Sequence, residues 1–275
     1  MQSKFIKNVS FTECPICHSK MHVFQGKSLV CRQKHCFDIA KQGYVNFNPG
    51  KSTSYPADLF ANRQKVFSNE FYQPLAKHIE DLIVDLCDNP NPLILDAGCG
   101  EGYYSKTILP HSICNKLSFD ISKEAIQLAA KGSDAALWMV ASLDNIPVKS
   151  NSVDVILDIL TPANYAEFNR VLKKNGIIIK VVPCTNYLIE LRKLAIDQIK
   201  NKEYDNIDVL EYFKSHTHLI KQTLLSYILP VNKELAVSFA KMTPMMMAVD
   251  IDKLHLDSLH SITIELDVLV AKKLD

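Results

Sequence analysis

No stretch of this 275-residue chain approaches the roughly 18–20 consecutive apolar residues that a membrane-spanning helix requires. The first 20 residues are polar and carry Cys14 and Cys17 where a secretory leader would place an apolar core. There is no internal repeat and no low-complexity tract, so solenoids and repeat arrays are excluded. A strong charge of one sign is also missing, the net charge being +1 at pH 7. With 47% hydrophobic and 22% charged residues, intrinsic disorder is excluded too. What remains is a globular chain, expected in the cytoplasm with no membrane partner. It has room for one full α/β domain and a small appendage.

The near-zero charge is unevenly placed. Residues 1–70 hold ten Lys/Arg against four Asp/Glu, a balance of +6, and the remainder stands at −5. A basic front on a mildly acidic body either faces a polyanion or forms a solvated surface. The eight cysteines are uneven as well: four lie between residues 14 and 36, while Cys87, Cys99, Cys114 and Cys184 are scattered. Such clustering points to metal binding rather than to a disulfide framework. Cys14-Pro15-Ile16-Cys17 and Cys31-x-x-x-His35 form two pairs separated by 13 residues, a spacing suited to tetrahedral zinc. His35 is the preferred fourth ligand, with Cys36 as its rival and His18 and His22 as bystanders. Four protein ligands leave no position for an activated water, so the zinc is expected to be structural. Metal binding would also supply folding free energy to a segment poor in apolar residues.

Three regions follow from the texture of the chain: a zinc-bearing segment at 1–50, a helical linker at 51–92, and an α/β domain at 93–275. Apolar residues at three- and four-residue spacings from Leu59 to Leu86 predict a helix over 56–87, stopped by Asn89-Pro90-Asn91-Pro92. From Leu93 strands and helices alternate. Strands are expected at Leu93–Asp96, Lys116–Asp120, Ala135–Val140, Val153–Leu160 and Ile177–Val182. Helices are expected at Ser122–Lys131, capped by Ser122, and at Pro162–Lys174, with Gly176 just past the end. The rhythm predicts a mostly parallel, doubly wound sheet. Ser261–Ala271 is expected to close it as a final antiparallel strand.

The chemistry-bearing segment is Leu95-Asp96-Ala97-Gly98-Cys99-Gly100-Glu101-Gly102-Tyr103. A strand that runs into closely spaced glycines can bring backbone against a ligand, and the next helix offers free N–H groups. A dinucleotide site normally reads Gly-x-Gly-x-x-Gly. Here the spacing is Gly98-x-Gly100-x-Gly102 behind an acid, which suits a ligand without phosphate, S-adenosylmethionine. Asp96 would receive the ammonium of its amino-acid tail, directly or through water. Asp120, 24 residues on at the end of the next strand, would accept the ribose hydroxyls beside Ile121, or else would cap the following helix. The third strand ends at Ala141-Ser142, where Ser142 either contacts the adenine amine or is a plain loop serine.

Cys14-x-x-Cys17, Cys31-x-x-x-His35, the stretch Phe37-Asp38-Ile39-Ala40-Lys41-Gln42-Gly43-Tyr44-Val45-Asn46 and the turn at 95–104 together resemble the RlmA-type large-subunit rRNA guanine-N1 methyltransferases. The tylosin-resistance enzyme belongs to the same family. Thr161-Pro162-Ala163-Asn164-Tyr165, Tyr187–Arg192 and Met242-Thr243-Pro244 are similar to its later motifs, so the likeness spans nearly the whole chain. It implies a class I S-adenosylmethionine-dependent methyltransferase domain, Rossmann-like with a final antiparallel strand, plus a small N-terminal zinc-binding domain. It further implies methylation of guanine N1 in a 23S rRNA hairpin near the peptide exit tunnel, by a homodimer whose cleft holds the RNA, with no role for DNA. Two departures stand out: Met245-Met246-Met247 where some relatives carry bulky aromatics, and Ser54-Tyr55 where some carry Gly-Asp.

Methyl transfer to N1 needs alignment and loss of a proton. Residues near the end of the fourth strand are the candidates. Asp158 is a possible base or a strand-end cap. Asn164 would read O6 or the amino group, and Tyr165 would stack on a flipped base or belong to the core. Lys20, Lys27, Arg32, Lys34, Lys41, Lys51, Arg63 and Lys65 are the expected phosphate contacts, with Tyr44 and Phe47 interleaved.

Overall fold

The computed structural model describes residues 8–48, 50, 55–56, 58–110, 112–200 and 202–274. The front of the chain is a three-stranded antiparallel ribbon of β1 (Met21–Phe24), β2 (Ser28–Cys31) and β3 (Cys36–Asp38). It is followed by β4 (Tyr44–Asn46), which leaves that ribbon and pairs in parallel with a strand some 90 residues away.

Two helices follow, α1 (Leu59–Ser68) and α2 (Gln73–Leu86), where one was expected. Pro74 explains the break: its ring collides with the carbonyl four residues back, so a helix can start at that point but not pass through it. Glu70 takes a positive φ of 61° in the turn between them.

The large sheet has eight strands in the order β10-β11-β9-β8-β5-β6-β7-β4. Its members are β5 (Leu93–Ala97), β6 (Asn115–Asp120), β7 (Leu137–Val140), β8 (Val153–Ile159), β9 (Leu172–Pro183), β10 (Thr217–Pro230) and β11 (Ser261–Lys273), with β4 at one edge. Only β11 runs against its neighbours, pairing antiparallel with both β9 and β10. The connecting helices include α3 (Tyr103–Thr107), α4 (Lys123–Ala130), α5 (Tyr165–Val171), α6 (Ile189–Leu194), α7 (Ile207–His216) and α8 (Lys233–Met242). Ser122 caps α4 as expected, accepting the Ala125 N–H.

The α5–β9 junction differs from expectation. The helix ends at Val171, and β9 already begins at Leu172. Gly176 is therefore a strand residue and not a helix stop. A Cβ there would lie 2.9 Å from the Asp154 carbonyl oxygen, so the strand's close approach requires glycine.

Central strands are buried on both faces and divide their side chains between two cores. Ile94, Val155, Leu157, Ile177, Ile179 and Val181 pack with α2 and α8. Leu95, Leu117, Ile156 and Ile178 pack on the other face with Phe168, Phe213 and the zinc segment's Cys14, Met21, Leu29 and Phe37. The front segment is thus fastened to the sheet and does not hang from it. Arg170 reinforces the joint, donating to Glu13 and Glu167 and to the Val148 and Ile146 carbonyls. Among the described residues, no helix is long and apolar enough to cross a membrane.

Candidate functional site

Strand order reverses between β5 and β8, since the chain winds outward through β6 and β7 and returns at β8. In open α/β sheets, ligands bind at that crevice, beyond the carboxyl ends of the strands. Here the crevice holds a cavity of about 890 Å³. Gly98, Gly100 and Asp120 line it on the β5–β6 flank, while Thr161, Tyr165, Lys180, Tyr204, Asp208 and Tyr212 line it on the β8–β9 flank. Arg63 and Tyr72 reach it from the two helices ahead of the sheet.

The glycine turn works differently from the simple expectation of open space beneath a ligand. Gly98, Gly100 and Gly102 all have positive φ, of 69°, 55° and 79°. A side chain at Gly98 would collide with Thr161, and one at Gly102 would approach the Trp138 ring to 2.5 Å. The glycines thus let the turn seat against the protein, which holds the backbone of 98–102 in one place. Gly102→Ala is expected to cost about 3 kcal/mol or more, from the left-handed backbone and overpacking against Trp138. The urea midpoint of the variant checks this; an unchanged midpoint would refute it.

Asp120 ties two loops together. One carboxylate oxygen accepts the Gly100 N–H at 2.9 Å, and the other accepts the Ser122 N–H at 2.8 Å. The helix-cap reading fails because Ser122 fills that position. Each carboxylate oxygen retains a lone pair, and Asp120 lines the cavity, so it offers the acceptor pair that a ribose diol needs. Asp96 sits deeper, 2% exposed, with Ser105 Oγ donating to it at 2.5 Å. Burial pushes its carboxyl up to about 6, against the Ser105 hydrogen bond. It supports the turn from below and is not on the cavity wall, so direct reception of an ammonium does not fit the geometry.

The other expected cofactor contacts are scattered. Cys99 turns its side chain into a small core with Tyr44, Ile126 and Trp138. Tyr103 stacks on Phe67 at 4.2 Å. Ala141 is buried, and its N–H donates to the Asp120 carbonyl at 3.1 Å. Ser142 shares a short turn with Asp144 and Asn145, its hydroxyl 3.3 Å from the Asp144 carboxylate. Ile121 is half-buried beside Asp120. Cys99, Tyr103, Ile121, Ala141 and Ser142 are absent from the cavity wall.

On the substrate flank, Asp158 is fully buried and paired to Lys180 Nζ at 2.9 Å. Lys180, not Asp158, faces the cavity, so a base role for Asp158 in direct contact with substrate does not fit. Asn164 is the N-cap of α5, its side-chain oxygen accepting the Glu167 N–H at 3.2 Å. That bond engages the oxygen that would accept from the guanine amino group and leaves the amide nitrogen, which would donate to O6. Tyr165 packs in the core among Phe168, Phe213, Tyr212 and His216, and it also lines the cavity.

Two functional candidates were missed. Lys180 interrupts the otherwise apolar run Ile177–Val182, and that interruption is a signal visible in the sequence. Arg63, expected on RNA phosphate, instead pairs with the largely buried Glu101 at 3.0 Å, and its Nη2 stands 3.1 Å from where a Gly100 Cβ would be. Its guanidinium thus lies against the glycine turn, paired with the acid of that turn, and it lines the cavity.

Cys14, Cys17, Cys31 and His35 converge, their donor atoms all within 4.8 Å of one another. Cys14 Sγ and Cys31 Sγ lie 3.4 and 3.5 Å from His35 Nδ1, and Cys17 Sγ lies 3.6 Å from Cys31 Sγ. Zinc with sulfur at about 2.3 Å and nitrogen at about 2.0 Å separates tetrahedral donors by roughly 3.5–3.8 Å. The four residues fit zinc, with His35 as the nitrogen ligand. Cys36 is exposed and outside the cluster. Lys20, Lys27, Arg32, Lys34 and Lys41 are exposed on the same front segment, whereas Tyr44 and Phe47 are buried and unavailable for stacking. Lys65 pairs with Glu234 at 2.8 Å. Lys51 and Ser54 lie outside the described residues.

Comparison with known proteins agrees with this architecture. Residues 12–52 match the family model described as "RlmA, N-terminal", and residues 95–180 match a methyltransferase domain. YxjB of Bacillus subtilis (strain 168), provisionally named a 23S rRNA (guanine-N(1)-)-methyltransferase, is 35% identical over 96% of this chain and 98% of its own length. The 23S rRNA (guanine(748)-N(1))-methyltransferase of Streptomyces fradiae is 25% identical over 97% of this chain and 98% of its own. Among solved structures, a chain from the complex of the Haloferax volcanii Trm112 methyltransferase activator with a methyltransferase shares the fold. Its TM-score is 0.51 and its identity 16%, over 80% of this chain and 97% of that one. A zinc ribbon seated on a class I methyltransferase sheet, with near-full-length likeness to YxjB, places this chain in the RlmA-type 23S rRNA (guanine-N(1)-)-methyltransferase family.

Proposed function

We propose that the chain methylates N1 of a guanine in a 23S rRNA hairpin near the peptide exit tunnel, with S-adenosylmethionine as donor. It acts in the cytoplasm as a homodimer whose cleft holds the RNA. The observation that carries this reading is the single cavity joining the glycine turn and Asp120 to an aromatic and charged wall at Tyr165, Lys180, Tyr204 and Tyr212. Its volume is within the range of small-ligand sites, with one side open to a flipped base.

The donor, when bound, supplies an electrophilic methyl group. Asp120 would hold its ribose, and the backbone of Gly98–Gly102 would lie along its amino-acid tail. Arg63 is placed for the tail's carboxylate. Asp96 holds the turn through Ser105. Tyr165 and Tyr212 offer faces against which an extruded guanine can stack. The exposed lysines and Arg32 of the zinc segment would contact phosphates. Residues 1–50 thus serve recognition, 51–92 cover the cofactor, and 93–275 carry the transfer.

Purified protein incubated with methyl-labelled donor and 23S rRNA that lacks the modification should yield labelled 1-methylguanosine on nucleoside analysis. Label in another nucleoside, or none, would overturn the proposal.

A further inference from the structure

Lys180 is a buried cation on the cavity wall to which the roles above give no part. It is 3% exposed, on β9 beside the carboxyl end of β8. Its ammonium donates to the Thr161 carbonyl at 2.6 Å and pairs with Asp158 at 2.9 Å. An ammonium has three N–H bonds. The Thr161 carbonyl holds one and the Asp158 ion pair draws a second, which leaves a third on a residue that lines the cavity.

The two anchors fix where that third donor sits. Thr161 is the residue packed over Gly98, so Lys180 is tied through one carbonyl to the glycine turn. Asp158 has no exposed surface, and among the described residues neither of its carboxylate oxygens accepts a hydrogen bond; its partner is the Lys180 ion pair. A buried carboxylate with a single cationic partner holds that cation firmly, because losing the partner would strand a charge in a low-dielectric site. Lys180 is therefore a preorganised cation at the substrate flank.

Resting on the function proposed above, we infer that Lys180 is a catalytic residue that donates a hydrogen bond to guanine O6. Guanine N1 carries a proton within the lactam N1–C6=O6, so its lone pair becomes free only when the proton leaves to solvent and negative charge spreads onto O6. A cation at O6 stabilises that anion as an oxyanion hole stabilises a developing alkoxide. The N1 lone pair then forms the new nitrogen–carbon bond, the sulfur–carbon pair returns to sulfur, and O6 resumes its carbonyl form. Lys180 keeps its own proton throughout. The same donor favours guanine over adenine, whose exocyclic amine offers no acceptor at that position.

The test uses the full chain, wild type against Lys180→Met, Lys180→Arg and the double variant Lys180→Met/Asp158→Asn. The double variant removes both charges together, so that no buried ion is left alone. Single-turnover methyl transfer to unmodified 23S rRNA is followed from pH 6 to 9 at saturating donor and RNA. Donor and RNA affinities are measured separately. Loss of one oxyanion donor typically costs about 100- to 1,000-fold in rate, and that loss is expected for Lys180→Met and the double variant, with both affinities within about threefold of wild type. Lys180→Arg should recover part of the rate. The deficit should shrink as pH rises, because solvent then deprotonates N1 without help; a merely structural role would not produce that slope. A Lys180→Met or double-variant rate within threefold of wild type, or a loss confined to affinity, would overturn the inference. Absence of 1-methylguanosine with wild type would instead overturn the function on which it rests.

Discussion

Removing the zinc is expected to abolish rRNA methylation and to disturb the far edge of the methyltransferase sheet. Cys14 and Cys31 are 0% and 2% exposed and belong to the same core as Leu95, Leu117 and Ile156. Loss of their metal therefore opens that core, not only the ribbon. In small zinc modules, metal binding contributes about 10–16 kcal/mol to folding, comparable to the 5–15 kcal/mol that stabilises an ordinary domain. The strand that follows the ribbon, β4, pairs Tyr44 with Trp138 on β7. Trp138 is the sole tryptophan in the chain, so its fluorescence reports on that edge alone. Chelation of the wild type, or Cys31→Ser, should shift this emission and lower methyl transfer at least 100-fold. Added zinc should restore the chelated wild type but not the variant. Metal-free protein with unchanged emission and full activity would contradict the account.

Asp120→Ala is expected to weaken S-adenosylmethionine binding by about 100-fold or more. Hydrogen bonds to a charged group contribute roughly 1.5–3 kcal/mol each, and the variant forfeits two toward the ribose. It also leaves the Gly100 and Ser122 N–H groups without their acceptor, which frees the glycine turn. A loss of about 2.7 kcal/mol corresponds to 100-fold in affinity. Asp120→Asn keeps the shape and one acceptor oxygen, so its loss should be smaller. Titration calorimetry with the donor distinguishes the variants. An Asp120→Ala affinity within threefold of wild type would remove Asp120 from the cofactor site.

The parts of the site that were legible in the sequence are those whose local geometry admits few residue types. Three positive-φ positions in five residues demand glycine, and a cysteine–cysteine pair and a cysteine–histidine pair at short spacing announce a metal. The partners of those residues were not legible, because they arrive from elsewhere in the chain. Nothing in residues 98–102 names Thr161 or Trp138, yet these two fill the space over Gly98 and Gly102. Asn164 and Asp158 carried the right chemistry at the right strand ends. Other roles then engaged them, Asn164 as the cap of its own helix and Asp158 by the tertiary neighbour Lys180. Lys180 itself was visible as a lone charge among β-branched residues.

In the fold, β10 escaped notice because its outer face is solvated and the register shifts between Leu219 and Lys221, which breaks the alternation. The three-residue β4 has no sequence signature at all, since its partner is distant. Pro74 was readable as a helix start, but the apolar spacing continues across it and masked the break.

The most direct measurement is a comparison of 23S rRNA from cells with and without this gene, with modified nucleosides mapped by mass spectrometry and primer extension. The account predicts one 1-methylguanosine, in a hairpin near the exit tunnel, that disappears with the gene and returns with the wild-type chain but not with Asp120→Ala. An unchanged 1-methylguanosine pattern in cells lacking the gene would contradict it.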